Sequence, residues 1–106
     1  MTRHNFQLAY TIKPHHPDDE ADAATARQHL RANLGWDTVE HIETTLLGVV
    51  HLYHSTTSDR LDEAERQIRE RIREELKRLR LLSRVKFYGS LMVDGLGSAI
   101  RLSIVP

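Results

Sequence analysis

The residues best suited to chemistry lie in one short segment near the N-terminus, and they are His15, His16, Asp18 and Asp19. Imidazole and carboxylate groups bind zinc, manganese or magnesium, and both can transfer protons as general acids or bases. Adjacent side chains in a loop rarely converge on one ion without ligands from elsewhere in the chain. We therefore favour a solvated loop that caps a helix, and a catalytic or metal-binding role is the alternative hypothesis.

A second set of candidate residues consists of histidines that follow the first helix. A turn centred on Leu47 and Gly48 would place His41 opposite His54. Such a pair could act as a general base or bind a metal ion. Partly exposed strand histidines with neither role are the more common arrangement, so no metal site is predicted.

A third set is basic and could contact nucleic acid; it comprises Lys77, Arg78, Arg80, Arg84 and Lys86. Phosphate contacts from such a group would support nucleic-acid binding. The group lacks interleaved exposed aromatic residues on which bases could stack. Intrahelical pairs that involve Glu70 and Glu74 would explain most of these charges as a solvated helix face.

Composition narrows the classes of function. The length of 106 residues fits a single domain spanning residues 1–106, and 15 Lys and Arg balance 15 Asp and Glu. Zero net charge provides no global field that would attract nucleic acid. Without cysteine, neither disulfides nor thiolate metal sites can form. No serine-hydrolase motif of the form Gly-x-Ser-x-Gly is present, and no cofactor is expected.

The sequence also bears on location. It contains no apolar run of about 18 residues that could span a membrane, and its N-terminus lacks the basic and then apolar plan of a signal peptide. We therefore expect a cytoplasmic protein.

One long amphipathic helix is predicted between Ser58 and Leu82. Its apolar residues recur at spacings of three and four, and they are Leu61, Ala64, Ile68, Ile72, Leu76, Leu79 and Leu82. Candidate N-caps precede the helix between residues 55 and 59, and basic residues concentrate at its other end. Such a stripe needs a surface to cover, and the flanking period-two segments predict a β-sheet.

The remaining elements follow from local patterns. Alternation from Phe6 to Ile12 predicts a strand, and a first helix is expected from about Asp18 to Leu34, ended by Gly35. The segment 36–53 is rich in β-branched residues and too long for one ordinary strand, so it predicts a hairpin. Its turn is open between Thr44-Thr45 and Gly48. Further strands are expected around residues 85–93 and 100–104.

This order, β-α-β-β-α-β-β, predicts an α+β protein with the ferredoxin-like βαββαβ plan and an added C-terminal strand. Right-handed crossovers would place both helices on one face of an antiparallel sheet and leave the other face uncovered. In several strands, apolar residues occupy both odd and even positions and would therefore lie on both faces of the sheet. This favours a second copy of the chain as the element that covers the open face. We therefore expect a homodimer formed through the open sheet face and the last strand.

Several segments resemble small ferredoxin-like proteins of the superfamily that includes the CRISPR adaptation endonuclease subunit and the antitoxin ribonuclease GhoS. The matching features are Tyr10-x-Ile12, Gly35-Trp36, the segment 42–46 and the added last strand. The resemblance implies a homodimer in which the last strand adds to the partner's sheet. It also implies that the protein either cleaves or only binds nucleic acid.

One departure from that superfamily concerns catalysis. Its nucleases carry an aspartate at the end of the first strand, where this chain has Tyr10, Thr11 and Ile12. We therefore favour a homodimeric binding or regulatory protein that engages nucleic acid or a protein partner without catalysis. The alternatives are a metal-dependent or histidine-assisted endoribonuclease of a toxin-antitoxin or CRISPR-related type, and an inhibitory or structural partner protein from a mobile element. A divalent metal would be needed only by the endoribonuclease.

Overall fold

The computed structural model of the protein describes residues 1–106 as an α+β fold with an antiparallel five-stranded sheet and two helices. The predicted α+β class is confirmed. The elements are β1 (Thr2–Pro14), a 3₁₀ turn (Pro17–Asp19), α1 (Glu20–Asn33), β2 (Asp37–Val39), β3 (Ile42–Leu52), α2 (Thr57–Arg78), β4 (Val85–Val93) and β5 (Ile100–Ile104).

The strands lie in the order β2-β3-β1-β4-β5, and all neighbours are antiparallel. This order is not that of a bare four-stranded βαββαβ sheet, because β5 lies outside β4. The longest strand, β1, has 13 residues and lies in the centre. β2 and β5 form the two edges of the sheet, and each pairs with one neighbour only.

Alternation along β1 separates the two faces of the sheet. Phe6, Leu8, Tyr10 and Ile12 are buried, whereas the residues between them are exposed. The buried side belongs to one apolar core that includes residues from both helices. The helices therefore cover one face of the sheet and leave the opposite face open.

The long helix α2 is shorter than predicted from the sequence: it ends at Arg78 and does not extend to Leu82. The hydroxyl of Thr56 caps its start by accepting a hydrogen bond from the Asp59 amide at 3.2 Å. The central residues of the predicted apolar stripe, between Ala64 and Leu76, are buried in the core. Neither helix has the length and apolar composition that crossing a membrane requires.

The C-terminus of α2 ends in a Schellman motif. Arg80 has a left-handed φ of 60°, its amide donates to the Lys77 carbonyl, and the Leu81 amide donates to the Leu76 carbonyl at 2.9 Å. This reversal ends the helix and places Leu81 in the core. Glycine is the usual residue at the left-handed position, so an arginine there is strained.

The predicted turn of the first hairpin is wrong at both proposed sites. The chain turns at Glu40 and His41, where His41 has a φ of 65°, and β3 then continues without a break through Thr44 and Gly48. Gly48 lies opposite Phe6, and a Cβ atom at Gly48 would lie 2.6 Å from the Phe6 ring. This glycine therefore makes room for an aromatic ring that also packs edge-on against Trp36.

Two buried carboxylates connect α2 to the rest of the structure. Glu63 accepts hydrogen bonds from the amides of Tyr53 and His54 at 2.8 and 3.3 Å. Burial alone would raise the pKa of Glu63, but these amides and the nearby charges of His54 and Arg66 more than offset that effect, so the pKa is lowered. The carboxylate thereby satisfies the backbone amides where the chain leaves β3.

The second buried carboxylate, Glu75, forms ion pairs with arginines of α2, whereas the sequence analysis predicted such pairs for Glu70 and Glu74. It pairs with Arg78 and with Arg71 and accepts a hydrogen bond from Asn33 on α1. The hydrogen bond from Arg78 lowers the pKa of Glu75 despite the opposing effect of burial. The predicted pairs that involve Glu70 and Glu74 are absent.

We predict that Arg80→Gly stabilises the protein. Glycine removes the left-handed strain, and after its own entropic cost in the unfolded chain the unfolding free energy should rise by about 0.5 to 1 kcal/mol. Urea denaturation measures the change. Arg73→Gly, on the exposed side of the same helix, is the matched control and should lower stability by about 1 kcal/mol. A loss of stability in Arg80→Gly would contradict the prediction.

We also predict that Glu63 contributes to acid sensitivity. Since its folded-state pKa is lowered, its stabilising effect is complete above the ordinary value of 4.5 and is lost as the pH falls through the folded-state pKa. Glu63→Gln should therefore be less stable than the native chain at pH 7, with a flatter stability profile between about pH 5 and pH 3. Urea denaturation at stepped pH tests this, with the exposed Glu74→Gln as the control. Parallel profiles for the native chain and Glu63→Gln would disprove it.

Candidate nucleic-acid interface

The His-Asp segment after β1 serves a local structural purpose. Asp19 is 8% exposed, and its carboxylate accepts a hydrogen bond from the His16 amide at 3.1 Å. The same carboxylate lies 3.8 Å from the Arg84 guanidinium. Asp18 is exposed and makes no hydrogen bond or ion pair, and His15 stacks against His16 at a centroid distance of 4.4 Å. Asp19 therefore caps the 3₁₀ turn and holds it to the loop before β4.

The side chains of this chain that could bind a metal ion do not converge on a common position. No group of three or more His, Asp or Glu side chains has a geometry that could hold a metal ion. The predicted approach of His41 to His54 is wrong, because His41 lies in the β2–β3 turn and His54 follows the far end of β3. With the 11 residues of β3 between them, the two histidines cannot form a pair.

The predicted basic group does not form one surface. Arg78 pairs with Glu75, and Arg84 lies 3.5 Å from Asp22 as well as close to Asp19. Lys77 and Arg80 lie beside a groove between the end of α2 and the end of β5. Only Lys86 points to the open face of the sheet, because its strand neighbours Val85 and Phe87 are buried.

The open face consists of the outward-facing strand residues on the side of the sheet that the helices leave uncovered. Its members are Arg3, Asn5, Gln7, Ala9, Thr11 and Lys13 on β1; Asp37 on β2; Thr45, Leu47, Val49 and His51 on β3; Lys86, Tyr88, Ser90 and Met92 on β4; and Arg101 and Ser103 on β5. Polar side chains predominate, and the larger apolar ones are Leu47, Val49 and Met92. This surface is more polar than the sequence pattern had indicated.

Several cations cluster with an aromatic ring on this face. Lys13 and Lys86 are directly opposite each other on β1 and β4. Tyr88 lies two residues further along β4 and is 40% exposed, and Arg101 on β5 is opposite Ser90. We call Lys13, Lys86, Tyr88 and Arg101 the cationic corner. None of its basic side chains forms an ion pair.

The lysine pair in this corner is unfavourable for the isolated chain. Opposite residues on antiparallel strands have Cβ atoms about 5 Å apart, and like charges at that distance destabilise the sheet. Lys13 and Lys86 have no carboxylate between them to relieve the repulsion. An anion bound above the two ammonium groups would relieve it.

Sequence reasoning missed most of the cationic corner. It named Lys86 but not Lys13, Tyr88 or Arg101, and its statement that no exposed aromatic accompanies the basic group is wrong for Tyr88. A signal was present, because Lys86 and Tyr88 are two residues apart in a strand and must share a face. The cross-strand position of Lys13 had no signal, since it depends on the register between β1 and β4.

Comparisons of this chain with protein-family models, with curated proteins and with solved structures found no match. Its geometry is therefore the basis for any functional proposal. That geometry offers an uncovered sheet surface, a group of unpaired cations and an exposed tyrosine ring. Such a surface can bind an extended anion whose parts include flat rings.

Proposed function

We propose that this protein binds single-stranded nucleic acid on the open face of its sheet and does not catalyse a reaction on it. The proposal is based on Lys13 and Lys86, which lie opposite each other on β1 and β4 and form no ion pair, and on the exposed ring of Tyr88 beside them. Ammonium groups contact phosphates, and an aromatic ring stacks on a base. Lys86 and Tyr88 on β4, together with Lys13 on the neighbouring strand β1, can make both contacts.

The distribution of charge supports the sheet rather than α2 as the binding surface. On α2, Arg69 and Arg71 pair with Glu65 and Glu75, and Arg78 also pairs with Glu75. Arg66 and Arg73 form no ion pair, but they share a groove with Asp62, Glu65 and Glu70, whose negative charge opposes phosphate binding. The lysines and arginine of the cationic corner have no such partners, so their charge is available to an incoming phosphate.

A single strand fits this surface better than a duplex. Tyr88 projects from the open face and is 40% exposed, and only an unpaired base can lay its ring against that of a tyrosine. A duplex would offer phosphates to the lysines, but it would keep its bases stacked internally. Zero net charge limits attraction to the local cluster, so affinity should depend on these few side chains.

A ferredoxin-like fold extended by β5 is part of the same proposal. The first four strands lie in the order β2-β3-β1-β4, and a helix follows both β1 and β3. These features support the split βαβ plan. Ferredoxin-like modules that bind single-stranded RNA stack bases on aromatic residues of the sheet, which agrees with the position of Tyr88.

We further propose that the homodimer forms through β5 and leaves the open face free. The outer edge of β5 has no strand partner, so its backbone groups can pair with another chain. The C-terminal half of α2 lies beside the end of β5. Antiparallel pairing of two β5 strands would bring the basic end of one α2 towards the other helix's acidic start at Asp59 and Asp62.

The endoribonuclease alternative has no favouring observation. The Asp19 carboxylate accepts a hydrogen bond within the 3₁₀ turn, and the Asp18 side chain is exposed to solvent. His15 and His16 contact each other, and no second element brings an acid or base to them.

The binding proposal predicts that Tyr88→Ala and Lys86→Ala each weaken binding. Fluorescence anisotropy with labelled mixed-sequence single-stranded RNA and DNA measures the effect at low salt. A lost stacking contact of about 1–3 kcal/mol weakens binding about fivefold or more. Lys77→Ala is the matched control, because Lys77 is an exposed lysine on α2, away from the open face. Equal losses in Lys77→Ala and Lys86→Ala, or no saturable binding, would refute the proposal.

Salt dependence provides a second readout of the same variants. Three phosphate contacts should give a slope of about −2 for log affinity against log salt, since each contact to a single strand contributes about −0.7. Lys86→Ala should reduce the steepness by about 0.7. Its unfolding free energy should stay equal or rise by a few tenths of a kcal/mol, because the repulsion with Lys13 is removed.

The dimer proposal predicts a particle of twice the 12.3 kDa chain mass at micromolar concentration, and light scattering after size exclusion measures it. Because the proposed interface is the outer backbone edge of β5 and not the open face, addition of oligonucleotide should leave the dimer intact. Dissociation by oligonucleotide would show that the open face itself forms the interface. A monomer at every concentration would disprove self-association.

A further inference from the structure

A cleft lies at the end of the open face away from the cationic corner. It has a volume of about 410 Å³, which is in the range of small-ligand sites. Its floor is the sheet, where Asn5 and Gln7 of β1 lie between Leu47 of β3 and Met92 of β4. Its wall is the β4–β5 loop, which begins at Asp94.

The loop wall is held to β1 by its backbone. The Asp94 amide donates to the Asn5 carbonyl at 2.8 Å, and Nδ1 of His4 donates to the Asp94 carbonyl at 2.9 Å. Both backbone groups of Asp94 are therefore engaged, and its position is fixed. The side chains of Asn5, Gln7 and Asp94 make no hydrogen bond within the chain, so their polar atoms are free to bind a ligand.

Two glycines line the mouth of the cleft. Gly95 and Gly97 both line it with left-handed φ values of 78° and 91°. A Cβ atom built on either would meet no other atom within 4 Å. The space beside them is therefore unfilled, and a flat ring can enter from the solvent side.

We propose that this cleft binds a guanine base of the bound strand, an inference that rests on the nucleic-acid function proposed above. Guanine presents two neighbouring N–H donors, at N1 and N2, on one edge. A carboxylate is an acceptor with two oxygens and can receive both. Adenine, cytosine and uracil each place a ring acceptor or carbonyl beside their N–H donor, and that atom would face the negative charge of Asp94.

The other lining side chains match the rest of the base. The apolar side chains of Leu47 and Met92 can contact its ring, and thioether sulfur makes favourable contacts with aromatic rings. The amides of Asn5 and Gln7 can donate to the guanine acceptors O6 and N7. Met92 lies four residues from Tyr88, about 13 Å along β4, so one short strand can occupy both places.

The test compares oligouridylates that carry one central guanine, adenine, cytosine or uracil. The native protein should bind the guanine strand about tenfold more tightly than the others. Asp94→Asn should lose that preference, because an amide supplies only one acceptor oxygen. The variant removes a negative charge, so its affinity for the uracil strand should stay equal or rise while the guanine strand alone weakens. Asp62→Asn, an exposed acid on α2, is the matched control and should keep the preference.

A second measurement uses guanosine monophosphate alone, followed by amide NMR. The Asp94, Gly95 and Gly97 resonances should shift on its addition, and adenosine monophosphate should not shift them. Equal binding of all four oligouridylates overturns the guanine assignment and leaves the binding function standing. Failure of every oligonucleotide to bind overturns the binding function, and guanosine monophosphate then decides whether the cleft recognises the base by itself.

Discussion

The central position of β1 is the constraint on which the rest of the structure depends. Its inward side chains, from Phe6 to Ile12, form the middle of the apolar core, and its outward side chains form the middle of the open face. Because successive strand residues point to opposite sides, one strand builds both surfaces. A shift of register by a single residue would expose the core residues and bury Lys13.

Charge is divided between the two sides of the molecule in a way that follows from this arrangement. On the helical side, Glu63 and Glu75 are buried, and their negative charge is satisfied by backbone amides, Asn33 and arginines. Burial of an unpaired carboxylate would be unfavourable, so these partners stabilise the folded state. The open face has no comparable acid beside Lys13 and Lys86, so its cations face solvent.

The proposed binding surface has two chemically distinct ends. At one end, cations and Tyr88 can bind any single strand through phosphates and stacking. At the other end, the cleft with Asp94 repels phosphate and can accept hydrogen bonds from a base. Under the proposal, a strand that crosses both would be held without regard to sequence at the first end and selected by its base at the second. The sheet between them fixes the separation.

Local patterns in the sequence were enough to predict most of the secondary structure. The stripe from Ala64 to Leu76 predicted the long helix, the alternation of β1 predicted its strand, and Gly35 was found with the left-handed φ expected at a helix end. Sequence patterns gave the wrong prediction where a contact between residues far apart in the sequence determined the local structure. Gly48 suggested a turn, but it lies within β3, because the ring of Phe6 fills the space that a side chain would need.

The sequence by itself determined the fold class, the long helix and the absence of cysteine chemistry, because these depend on composition and on neighbours a few residues apart. Only the tertiary structure decided which charges remain available. It assigned Asp19 to a cap and Arg78 to Glu75, and it placed Lys13 opposite Lys86. Residues some seventy positions apart become neighbours through strand register, and register is set by the packing of the whole sheet.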